Sequence, residues 1–151
     1  MHKKKGFTLV ELMVVIVIIG LLMAYALPSY HRQVMVSKRT EAMNTLLKIA
    51  ATEEKHNATY NTYTDVLDGN GNDGDSLGYD TGEPPIKSNN YAYVLEDNDD
   101  DADGGYTIRA RGKNNSTQKE DTTTNTAGNV ISCRALRIDA LGRKRPLACW
   151  Q

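Results

Sequence analysis

Residues Phe7–Leu27, FTLVELMVVIVIIGLLMAYAL, form an apolar run of 21 residues in which Glu11 is the only carboxylate or cation. About 20 such residues are needed for a helix to cross ~30 Å of hydrocarbon. The run therefore ties the amino end to a membrane or to the interior of an assembly. A carboxylate within it costs ~2.5 kcal/mol or more unless partnered, which makes Glu11 a functional residue by default. Met1-His2-Lys3-Lys4-Lys5-Gly6 precedes it. The three lysines hold the amino end in the cytoplasm and send the rest of the chain outward. An ordinary secretory signal has a shorter apolar stretch and closes on a small-residue cleavage site. A plain anchor gives no reason for Glu11.

The segment Lys5-Gly6-Phe7-Thr8-Leu9-Val10-Glu11, with Pro28 beyond it, resembles the prepilin signal of type IV pilins and of type II secretion pseudopilins. That resemblance implies that prepilin peptidase cuts after Gly6 and methylates the new amino-terminal Phe7. It also implies that the retained helix becomes the core of a helical filament of pilin subunits. The single-pass chain would wait in the inner membrane, amino end in the cytoplasm, until the assembly machinery draws it into an extracellular pilus. Cleavage removes the three lysines and leaves an α-ammonium, with an unperturbed pKa near ~8, four residues before Glu11. Pairing that ammonium with Glu11 of an adjacent subunit is far less costly than leaving either charge alone out of water. Pairing within one subunit is the alternative.

Pro28 removes a backbone donor and is expected to kink or open the helix. From Ser29 to His56, Val36, Met43, Leu46, Leu47 and Ala50 recur at helical spacing, with Arg32, Lys38, Arg39, Glu41 and Lys48 between them on a solvated back. From Asn57 onward Thr, Asn, Asp, Gly and Tyr dominate. Tyr91–Leu95 and Tyr106–Arg111 read as a hairpin, Val130–Ile138 as a third strand, and Asp139–Gly142 as a turn before a short closing strand toward Trp150. Residues 65–87 read as an irregular loop. The expected organisation is a leader (1–6), a transmembrane and filament-core helix (7–28), an amphipathic helix (29–56) and a globular β-sheet domain (57–151). The fold class is α+β, a long N-terminal helix packed on an antiparallel sheet, the lollipop of the type IV pilins.

The outward topology puts Cys133 and Cys149 where disulfides persist. Closing a loop of about 15 residues contributes roughly 3 kcal/mol. A metal site is disfavoured, with no third sulfur and no nearby histidine. The pattern Cys133-Arg134-Ala135-Leu136-Arg137-Ile138-Asp139, then Gly142 and Cys149-Trp150, is similar to the end of PilE-class minor pilins and of the related DNA-receptor pilin ComP.

Charge is unevenly distributed about a formal net of −1. Between Ser132 and Gln151, Arg134, Arg137, Arg143, Lys144 and Arg145 face one acid, Asp139, and are candidates for phosphate contacts with DNA. Residues 96–104 hold six acids in an expected hairpin loop. Within it Asp99, Asp101 and Asp103, followed by Gly104, match the opening of a calcium loop, but the twelfth position is Ala110 rather than a bidentate glutamate. A solvated acidic tip is the expected reading, with calcium the alternative and no other cofactor implied. No nucleophile, zinc-protease or phosphate-loop motif occurs, so a structural subunit rather than an enzyme is expected. Secretion pseudopilin and DNA-receptor pilin stand as alternatives.

Overall fold

A computed structural model of the chain describes residues 6–69, 75–80, 86–98 and 105–151. The chain divides into two compact units, Met1–Val36 and Ser37–Gln151. Helix α1 (Leu9–Tyr60) contributes to both. It starts after Thr8, whose Oγ1 accepts from the Glu11 amide (3.2 Å), while Glu11 Oε2 accepts from the Thr8 amide and hydroxyl, both at 2.8 Å. This reciprocal Thr-x-x-Glu arrangement satisfies donors that a helix start leaves open. The helix stops after Tyr60 because Asn61 turns left-handed (φ 57°) and its amide returns to the Asn57 carbonyl at 2.8 Å. Pro28 does not end the helix: α1 runs through it.

In the first unit the side chains from Phe7 to Leu27 are exposed all round, Phe7 at 94% and Tyr25 at 85%. One window of this helix has a mean hydropathy of 2.7, and α1 is long and apolar enough to cross a membrane. So much contiguous apolar surface is what membrane or partner surfaces look like.

In the second unit Arg39, Ala42, Leu46, Ile49, Glu53 and His56 recur every three or four residues and form the buried face of α1. Only the middle of this stripe is apolar, so the expectation from sequence was partly wrong. Val36 and Leu47 stay more than a third exposed, and Arg39, expected on the solvated back, is buried at 6%. Polar residues stand on the buried face because the domain supplies partners. Arg39 Nε meets Asp121 Oδ2 at 3.3 Å and Nη1 donates to Cys133 Sγ at 2.9 Å. His56 Nδ1 lies 2.9 Å from the Thr62 carbonyl.

Strands β1 (Tyr91–Asn98) and β2 (Gly105–Gly112) pair antiparallel, Tyr91 opposite Gly112 and Asn98 opposite Gly105. Tyr106, Ile108 and Ala110 alternate inward from β2, and Tyr91 and Leu95 from β1, onto Leu46 and Ile49 of the helix. Tyr63, Tyr79 and Tyr93 pack at the edge of this core. Burial pushes the Tyr91 hydroxyl up to about 12, where it accepts from Gln118 Nε2 at 2.8 Å.

Val130–Ile138 is not one strand. β3 (Thr122–Thr124) and β4 (Val130–Ser132) form a separate two-stranded sheet, while β5 (Ala135–Asp139) joins β2 in the main sheet. The break falls at Cys133-Arg134, where the Cys133 amide donates to the Asp121 carbonyl (2.8 Å) and the Gly112 amide to the Arg134 carbonyl (2.7 Å). The expected turn is present: Gly142 has φ 71° and its amide returns to the Asp139 carbonyl at 2.8 Å. The closing strand shrinks to β6 (Lys144–Arg145), giving the order β1-β2-β5-β6, and Leu147–Trp150 is a 3₁₀ turn. Cys149 in that turn is disulfide-bonded to Cys133 (Sγ–Sγ 2.02 Å). The stretch read as a loop also gives the core Leu67 and Ile86.

Candidate functional site

A β-strand shows alternate residues to opposite faces, and residues directly opposite in register share a face. Leu136 and Ile138 of β5 face the core, so Arg137 between them faces solvent. Register then fixes its neighbours: Arg109 of β2 lies opposite Arg137, and Arg145 of β6 lies opposite it on the other side. Three arginines thus stand in one row across three strands, continued on β1 by Val94. At ~4.8 Å between strands the row spans roughly 10 Å. Two residues along β2, Arg111 is exposed on the same face between Ala92 and Ala135. Like charges directly opposite one another destabilise a sheet by a few tenths of a kcal/mol or more per pair. Two such pairs stand in succession here, and of the three arginines Arg109 alone has an ion-pair partner among the described residues, Glu96.

The C-terminal basic cluster read from sequence is therefore divided. Arg137 and Arg145 belong to the row. Arg143 Nε is held by Asp139 Oδ2 at 2.6 Å, Lys144 Nζ sits 5.2 Å from the Trp150 ring centroid, and half-buried Arg134 donates to Asn114 Oδ1 at 2.6 Å. Sequence reading missed Arg109 and Arg111, although the spacing Arg109-x-Arg111 in a strand already put them on one face. Arg109 is shared with Glu96 of β1 at 2.7 Å. Glu96 was expected in the acidic hairpin loop; with Asp97 it lies in β1.

Asp99, Asp101 and Asp103 fall outside the described residues. The later positions of the calcium motif, Gly105 to Ala110, lie in β2, with Ala110 fully buried in the core. Among the described residues no cluster of three metal-ligating side chains occurs.

At the amino end, Gly6, Phe7 and Glu11 stand at the start of α1, with Phe7 exposed. Both bonds from Thr8 go to Glu11 Oε2.

Residues 1–27 match the prokaryotic N-terminal methylation motif, and residues 28–137 match the family described as type IV minor pilin ComP, DNA uptake sequence receptor. A fimbrial protein of Moraxella nonliquefaciens is 35% identical over 106 residues, which is 69% of this chain and 62% of that one. The fimbrial protein EcpC of Eikenella corrodens is 58% identical over 41 residues, 27% of each chain. The chain thus spans between about a quarter and three fifths of the length of these relatives. A type IV pilin structure from Shewanella oneidensis shares the fold with a TM-score of 0.51 at 18% identity, covering 78% of this chain and 98% of that one. The helix, the antiparallel sheet and the methylation motif define a type IV pilin, a structural class rather than an enzyme. Within that class the chain belongs to the family of the type IV minor pilin ComP, DNA uptake sequence receptor.

Proposed function

We propose that this chain is a minor subunit of a type IV pilus that binds DNA through the outer face of its four-stranded sheet. The observation that carries this reading is the in-register row Arg109–Arg137–Arg145. A row of guanidinium groups on a firm sheet matches the fork geometry by which arginine holds phosphate oxygens, and the family's description as a DNA uptake sequence receptor supports it. Arg111 extends the same face; Arg143, Lys144 and Arg134 flank it. Binding of this kind weakens with salt because each phosphate contact releases a counterion. In gel shifts with duplex DNA, Arg137→Ala/Arg145→Ala is expected to weaken binding at every sequence and to lower the slope of log affinity against log salt by about two. Unchanged binding by this variant would refute the proposal.

The amino end serves assembly. Prepilin peptidase cuts after Gly6 and Phe7 is methylated, in a chain held by α1 in the inner membrane with its amino end cytoplasmic. In the filament, neighbouring pilin subunits meet through this helix, and Glu11 takes the Phe7 ammonium of an adjacent subunit. Glu11 Oε1 has no partner among the described residues and is available for it. Glu11→Val is expected to leave the chain processed and in the membrane but absent from sheared surface fibres by mass spectrometry. Normal incorporation would sink the assembly role. Attachment, twitching movement and DNA uptake are the pilus functions this subunit would join.

A further inference from the structure

Beside the arginine row lies a concavity of about 410 Å³ lined by Ala92, Arg111, Gly112, Lys113, Asn114 and Asn115. Its floor is low because Ala92 stands directly opposite Arg111 across the β1–β2 ladder. Arg111 makes no ion pair among the described residues, in contrast to Arg109 with its Glu96. The wall is the turn that follows β2, and it is pinned. The Lys113 amide donates to the Asn90 carbonyl at 2.9 Å, and Ser116 donates from its hydroxyl to that same carbonyl at 3.1 Å and from its amide to the Lys113 carbonyl at 3.1 Å. Gly112 lets the chain approach the 3₁₀ turn Thr117–Glu120: a Cβ there would come within 2.8 Å of the Gln118 carbonyl oxygen. Asn114 is oriented as well. Arginine can only donate, so the atom that meets Arg134 Nη2 at 2.6 Å is the amide oxygen, and the Asn114 NH₂ is left as a donor.

A row of arginines has no means of telling one base from another through phosphates. The concavity has the complementary chemistry. Arginine reads guanine and asparagine reads adenine through paired hydrogen bonds to base edges, and a pinned backbone lowers the ordering cost of presenting such groups. We propose that the Arg111–Asn115 concavity reads base edges of the bound DNA, while Arg109, Arg137 and Arg145 hold its phosphates. The proposal rests on DNA binding by this sheet face.

The test uses the full chain in detergent and a pool of duplexes with a randomised core, selected over several rounds and sequenced. The wild-type chain is expected to bind the pool at low salt and enrich a motif. Asn114→Ala/Asn115→Ala, both exposed positions, is expected to bind the unselected pool within about 2-fold and with the same salt slope, yet lose about 10-fold discrimination at one or two motif positions. Arg111→Ala is expected to lose discrimination at a guanine. Enrichment of the same motif by these variants would overturn base reading here, as would a loss equal at all sequences with a reduced salt slope, which marks a phosphate contact. A wild-type chain that binds without enriching any motif overturns base reading and leaves DNA binding standing. No binding to the pool at low salt overturns both.

Discussion

Arg39→Ala is expected to destabilise the unit Ser37–Gln151 by about 3–5 kcal/mol at neutral pH, the usual cost of removing one partner of a buried ion pair. Asp121 is 2% exposed, and its nearest countercharge is the Arg39 guanidinium. Burial raises the Asp121 carboxyl above the ordinary carboxylate value, and Arg39 pulls it partly back down. Without Arg39 only the raising cause remains. A carboxyl whose folded pKa lies above its unfolded one contributes full stability below the unfolded value and loses it as pH rises through the folded value. The deficit of the variant should therefore narrow on acidification toward pH 4 and be largest at neutral pH. Trp150, the sole tryptophan, packs against the core and reports unfolding by its fluorescence in urea. Arg39→Ala/Asp121→Asn should recover part of the loss, because the stranded charge is gone. A loss below 1 kcal/mol at pH 7, or one that grows on acidification, would show that the pair holds nothing together.

The second large effect is expected from Cys133→Ala/Cys149→Ala. The bond closes a 16-residue separation that includes β5 and β6. Constraint of the unfolded chain by a loop of this length contributes roughly 3 kcal/mol. Both sulfurs are buried, at 0% and 1% residue exposure, and Cys133 Sγ accepts from Arg39, so packing and a hydrogen bond are lost with the link. A fall in melting temperature on the order of 10 °C follows for a unit of this size, and binding through Arg137 and Arg145 should fall with it, since both lie inside the loop. A shift under about 3 °C would show that the sheet is held by other contacts.

The sequence discloses these parts of the molecule unequally. The apolar run with its lone Glu11 was plain, because its length and its single carboxylate can be read directly from the sequence. So was the hairpin of Tyr91–Leu95 with Tyr106–Arg111, the second of which alternates polar and apolar residues. Arg39 was not legible: a guanidinium on a helix reads as solvated unless the acid that meets it is known, and Asp121 lies 82 positions away in the sequence. β3 has no apolar alternation in Thr122–Thr124, so nothing marked it as a strand, and β4 and β5 then fused into one apparent segment. The arginine row failed to appear for a related reason. Arg109, Arg137 and Arg145 are remote in sequence, and only register sets them side by side.

Among the described residues the main sheet is open at both margins, since β1 and β6 each pair on one side only. Unpaired margins invite a neighbour's strand to add, a hazard for a chain whose family builds fibres. Here β6 has just two residues before Pro146, which offers no amide hydrogen, and the sequence that follows β1 holds four aspartates within positions 99–103 that would repel their copies. Both features disfavour lateral, amyloid-like addition of a neighbour's strand.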